Sequence, residues 1–87
     1  MTDIEDIRKN LKSDKLIIGT EETVKALKLG KLRKVYLASN CNPAVRKDIE
    51  HYAKLGSTEL AILDIPNDEL GVACRKTFSI SVLSMLK

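Results

Sequence analysis

Cysteine, histidine, long apolar runs and low-complexity tracts are all scarce in this chain of 87 residues. Each scarcity closes a class of explanation. Cys41 and Cys74 are too few for a disulfide scaffold and too isolated for a zinc site, which takes four ligands at short spacings. They read as reduced thiols, and no metal or cofactor is expected. His51 is the only histidine, so no Cys-His-Asp grouping has its partners close in sequence. Apolar stretches such as Leu60 to Leu63 fall far short of the ~20 residues that span a bilayer, which excludes a transmembrane helix and a membrane partner. Met1 to Asp6 carry acids where a secretory signal would carry bases and then an apolar core, so a cytoplasmic location is expected.

What is present is 44% apolar and 31% charged residues, enough for one small core, so residues 1–87 are expected to form one domain. The net charge is only +3. Its distribution says more: Lys15 to Lys34 contains six Lys or Arg against two Glu. Lys25, Lys28, Lys31, Arg33 and Lys34 fall in a stretch without any acid, which predicts a local positive potential suited to an anionic partner.

Hydrophobic spacing gives alternating elements. Thr2 and Glu5 fit a capping box for a first helix with Ile4, Ile7 and Leu11 on its apolar face. Leu16 to Ile18 predict a strand that stops at Gly19. Thr20 then caps or opens a helix with Val24 and Leu27 inward, closing near Gly30. Val35 to Ala38 predict a second strand. Asn42 suits the cap and Pro43 the first position of a third helix running to about Leu55, with Val45, Ile49, Tyr52 and Ala53 inward. Leu60 to Leu63 predict a third strand, Leu70, Ala73 and Cys74 a short fourth helix with Gly71 closely packed, and Ile80 to Leu86 a last strand. The order α-β-α-β-α-β-α-β with short apolar strands predicts an α/β fold, a three-layer α/β/α sandwich on a four-stranded mixed sheet.

Three places could carry chemistry. At Gly19 to Lys25 a glycine at a strand end permits close approach, and the following helix offers free N–H groups and a positive dipole end. The competing reading is plain helix initiation, with Thr20 capping and Glu21 and Glu22 complementing the dipole. Cys41 precedes a helix with Arg46 nearby, the setting of an activated thiol, but the spacing to Arg46 is one residue short of a cysteine-phosphate loop and Pro43 removes an N–H. A packed thiol and no catalytic residue are expected. Phe78, the only phenylalanine, lies beside Lys76 in a predicted loop, a pairing able to stack on an unpaired nucleotide and meet its phosphate. Most single phenylalanines are core, so an anchor packed against the domain is the competing reading.

Three segments together carry a resemblance: Ser39 to Leu55, Glu69 to Ile80, and Gly19-Thr20-x-x-Thr23-Val24-Lys25-Ala26-Leu27. In order and almost without gaps, they resemble the L-thirty-e branch of the L-seven-Ae family of kink-turn RNA-binding ribosomal proteins. The resemblance implies an α/β/α sandwich that binds a sharply bent RNA duplex, with structured ribosomal or other non-coding RNA and a ribosome or ribonucleoprotein particle as partners. By analogy, Gly19, Thr20, Glu21, Glu22 and Lys25 approach the sheared G·A pairs, and Lys28 extends the basic face. Asn40 and Arg46 line the neighbouring edge, and Lys76, Thr77, Phe78 and Ser79 cover the extruded nucleotide. Glu21 stands where many such binders have Asn. Together with the low net charge, this leaves a protein-interaction module on the same fold as the alternative function.

Overall fold

The structure, a computed structural model, describes residues 3–11 and 15–87, with side chains from Glu5 onward. The expected cap at Thr2 and the contribution of Ile4 lie outside what is described. Among the described residues eight elements follow in the expected alternation: α1 (Asp3–Lys9), β1 (Leu16–Ile18), α2 (Thr20–Lys28), β2 (Leu32–Leu37), α3 (Pro43–Leu55), β3 (Glu59–Ile62), α4 (Asn67–Ala73) and β4 (Val82–Leu86).

The strands form one mixed sheet in the order β1-β4-β2-β3, with β4 antiparallel to both neighbours and β2 parallel to β3. Side-chain alternation divides the core into two layers. Tyr36, Leu83 and Met85 face Ile7 of α1 and Leu70 and Cys74 at α4. Leu32, Val35, Leu37 and Val82 face Ala26 and Leu27 of α2 and Ile49 and Ala53 of α3. The chain is thus an α/β/α sandwich.

Leu32 and Val35 cannot share a face in a regular strand, whose side chains alternate with a period of two. A bulge resolves this: Leu32 pairs with Leu86 and Lys34 with Met85, so Arg33 is the extra residue on β2. The strand therefore begins three residues earlier than the apolar run Val35 to Ala38 suggested, hidden by Arg33 and Lys34. At the other strands the differences are smaller. β3 is shifted back by one residue, although Leu63 beyond it is still bonded through its N–H to the Leu37 carbonyl at 2.8 Å. β4 starts at Val82 because the Ile80 N–H is spent on the Asn67 carbonyl at 3.0 Å.

Helix starts follow local chemistry. The Asn42 side chain accepts from the Ala44 N–H at 2.8 Å and Pro43 is the first residue of α3, as the Asn-Pro pair predicts. At α2 the helix opens at Thr20 as expected, but Thr20 does not cap it: the cap position is Gly19, and no side chain caps the helix. Within this layer Thr23 is fully buried and its hydroxyl meets that of Ser84 at 3.0 Å, tying α2 to β4 by a polar pair inside the core.

Candidate nucleic-acid interface

One end of the sandwich gathers the C-terminal ends of β1, β2 and β3, the starts of α2, α3 and α4, and the start of β4. Backbone hydrogen bonds lock these segments together: Gly19 N–H to Val82 O at 3.0 Å, Ala38 N–H to Ser81 O at 2.9 Å, and Ser39 N–H to Ile65 O at 2.8 Å. Gly19 sits at φ 119° and ψ 151°, a region open essentially to glycine, and this lets β1 pass into α2 within one residue.

An open groove of about 450 Å³ lies at this end. Gly19 and Thr20 form one wall, and Lys76, Phe78 and Ser79 form the other. Phe78 is 56% exposed, so the reading of its ring as an anchor in the core is wrong. The loop is held out by its backbone instead. The α-carbon of Gly71 packs so closely on the Phe78 carbonyl that a side chain at 71 would overlap it, which is the close packing expected of that glycine. Thr77 is exposed on the same loop without lining the groove.

The remaining predicted residues divide. Glu21, Glu22 and Lys25 are exposed along α2 and do not line the groove, and among the described residues Lys25 forms no ion pair with either acid. Asn40 is engaged internally: its Oδ1 accepts from the Asn67 N–H at 2.8 Å and its Nδ2 donates to Asn67 Oδ1 at 3.0 Å, so it clamps the start of α4. Arg46 donates through Nε to Glu50 at 2.8 Å on the outside of α3. Lys28 lies 5.2 Å from the centre of the Tyr52 ring at the opposite end of α2.

Most of the basic run of the sequence is therefore away from the groove. Lys31, Arg33 and Lys34 follow α2 to the far end of the sandwich, where Lys87 N–H bonds to the Lys31 carbonyl at 3.0 Å and Lys34 pairs with Glu59 at 3.1 Å. Helix α2 carries charges that are contiguous in sequence from one end of the molecule to the other. Both thiols are buried, and burial pushes their pKa values up, with Arg46 beside Cys41 and Lys76 beside Cys74 only partly offsetting it. A raised pKa leaves less thiolate at neutral pH, the opposite of an activated nucleophile. Among the described residues no acidic, histidine and cysteine cluster is placed to hold a metal, and no helix is long and apolar enough to cross a membrane.

A family model described as the ribosomal protein L7Ae/L30e/S12e/Gadd45 family matches residues 4–87. The chain belongs to that family. Among the curated relatives of this L7Ae-family chain are two proteins named large ribosomal subunit protein eL30. The one from Trypanosoma brucei brucei is 35% identical, over 86% of this chain and 71% of its own length. The one from Methanococcus vannielii is 33% identical, over 93% and 77%. The family is non-enzymatic, so neither thiol is asked for catalysis. Among solved structures, the 15.5kD RNA binding protein of Giardia lamblia superposes with a TM-score of 0.84 at 19% identity, covering 97% of this chain and 70% of the other. A Bacillus halodurans protein of unknown function superposes at 0.86, also at 19% identity, covering 97% and 83%. These two likenesses show the α/β/α fold of this L7Ae-family member and nothing beyond the fold.

Sequence reasoning missed part of the groove and its supports. Ile18, Ile80, Ser81 and Val82 line it, but apolar residues next to strand ends carry no signal that separates lining from core. The Asn40–Asn67 clamp joins residues 27 apart, and nothing local announces it.

Proposed function

We propose that this protein binds structured RNA as a ribosomal or ribonucleoprotein component, gripping a kink-turn or similar internal loop in the groove between the Gly19–Thr20 turn and the Phe78 loop. The observation that carries the reading is the exposed Phe78 ring, beside Lys76 and across the groove from a glycine turn that no side chain obstructs. An exposed ring next to a cation suits a nucleotide turned out of its stack, because every base offers a π-face and every nucleotide a phosphate. The start of α2 has no side-chain cap, so its N–H groups are available to base edges or phosphates. Shared family membership with ribosomal eL30 proteins, and the fold shared with an RNA binding protein, support this choice of ligand. Binding selects a bent form that the RNA already samples; no bond is made or broken.

The test is a titration of a kink-turn RNA and a straight duplex of equal length at one salt concentration, since phosphate attraction alone treats the two alike. The expected result is tighter binding of the bent RNA, lost in Phe78→Ala while the fold persists. Stacking on an aromatic is worth about 1–3 kcal/mol per base, so the loss is at least several-fold. Equal affinity for both RNAs, or a Phe78→Ala variant that binds like the parent, refutes the reading.

A further inference from the structure

The loop that carries Phe78 is fastened to α4 at three points. At its start the Lys76 N–H donates to the Gly71 carbonyl at 2.9 Å, in its middle the Phe78 carbonyl packs against the α-carbon of Gly71, and at its end the Ile80 N–H donates to the Asn67 carbonyl at 3.0 Å. The exposed ring therefore goes where α4 goes. Helix α4 is only seven residues long, and its cap position is Pro66, whose side chain has no acceptor for the first free N–H groups. The acceptor for the first of them comes from another element. Asn40, between β2 and α3, accepts the Asn67 N–H on Oδ1 at 2.8 Å and donates from Nδ2 to Asn67 Oδ1 at 3.0 Å. A backbone N–H can only donate, so it fixes which way the Asn40 amide points, and the second bond follows from the first. Asn67 is thus gripped by Asn40 on its N–H and its side chain while its own carbonyl holds Ile80.

We propose that Asn40 is a positioning residue for the RNA groove: acting through Asn67, it sets the place of the Phe78 loop and is not itself an RNA ligand. This rests on the RNA reading above and deepens it. The relay is short, running from Asn40 to Asn67, from Asn67 to Ile80, and from Ile80 along two residues of chain to the ring. It starts from a fixed point, because the residues just before Asn40 are bonded through Ala38 N–H to Ser81 O at 2.9 Å and through Ser39 N–H to Ile65 O at 2.8 Å. The exit of the loop is therefore held twice, Ile80 by α4 and Ser81 by the end of β2, and Asn40 ties those two holders to each other. A ligand that took the Asn40 amide away from Asn67 would release the start of α4 and with it the loop. The two amides meet at the surface, where water competes for each bond, so their loss moves the loop without unfolding the core.

The experiment has two arms on the full chain, with a thermal melt of every variant to verify folding. The first, without RNA, follows amide hydrogen exchange in Asn40→Ala. The Ile80 N–H is expected to exchange at least several-fold faster than in the parent, while the Leu63 and Thr58 N–H groups, bonded to Leu37 and Ala53, keep the parent rates. A general loss of stability would speed all three. The second arm is a double-mutant cycle on affinity for a kink-turn RNA, using the parent, Asn40→Ala, Phe78→Ala and the two combined. Each single change is expected to weaken binding, and the combination to bind much like Phe78→Ala alone, because placing a loop that has lost its ring gains little. Losses that multiply to within about twofold make Asn40 an independent RNA contact and overturn the proposal. Parental affinity in Asn40→Ala, or an unchanged Ile80 rate, overturns it as well and leaves the groove reading standing. A parent chain without RNA affinity overturns the groove reading and this role with it, whereas the Ile80 rate, measured without RNA, fails only if the relay itself does.

Discussion

At the residue scale, the informative side chains are those whose burial contradicts their type. Phe78 is outside and Thr23 is fully inside. Most phenylalanines are buried, so only the structure could separate a stacking ring from a core anchor, whereas the Lys76 beside it was legible in the sequence. Thr23 belongs to the segment from Gly19 to Leu27 that carries the family resemblance, but its hydroxyl is spent on Ser84 across the core. Replacing one member of such a pair strands the other. Thr23→Val is therefore expected to cost about 1–3 kcal/mol, and Thr23→Val/Ser84→Ala to recover much of it, since removing both polar groups removes the unmet bond. Urea denaturation of the three proteins measures this. A double variant less stable than the sum of its single changes contradicts the pairing.

At the scale of the element, helix positions were largely legible and strand ends less so. Asn42 and Pro43 fix the start of α3 because a cap acceptor and a missing N–H act within one turn. The first half of β2 was hidden because its bulge turns Arg33 outward and restores Leu32 to the core face, so the apolar period was broken by design of the strand and not by its end. Helix α4 is coupled to the groove through Gly71. Alanine there would gain about 1 kcal/mol of helix propensity, but its methyl would meet the Phe78 carbonyl, and overpacking of this kind costs about 1–3 kcal/mol. Gly71→Ala is expected to lower the melting temperature and to weaken RNA binding by shifting the Phe78 loop, with α2 undisturbed. A variant of parental stability and affinity would show that the contact does not set the loop.

At the scale of the whole molecule, the sequence displays one basic stretch and the fold separates it into two ends. Lys25 stays near the groove while Lys31, Arg33 and Lys34 reach the far end, about 14 Å away along β4 alone for four strand rises. Linear charge clustering predicts a positive surface correctly but not its place, because helix α2 and strand β2 carry the chain across the sheet. The order of elements, the three layers and the Gly19 turn were readable from pattern. The Phe78 exposure and the Asn40–Asn67 clamp depend on contacts between residues far apart in sequence. Two ends thus compete for any polyanion: a groove with a ring and a glycine turn, and a plain cationic end. Backbone amide chemical shifts followed during addition of a kink-turn RNA decide between them. The account predicts the largest changes at Gly19, Thr20 and Lys76 to Val82, with little at Leu29 to Arg33 and Lys87; changes concentrated at Lys31, Arg33 and Lys87, with the groove amides still, would contradict it.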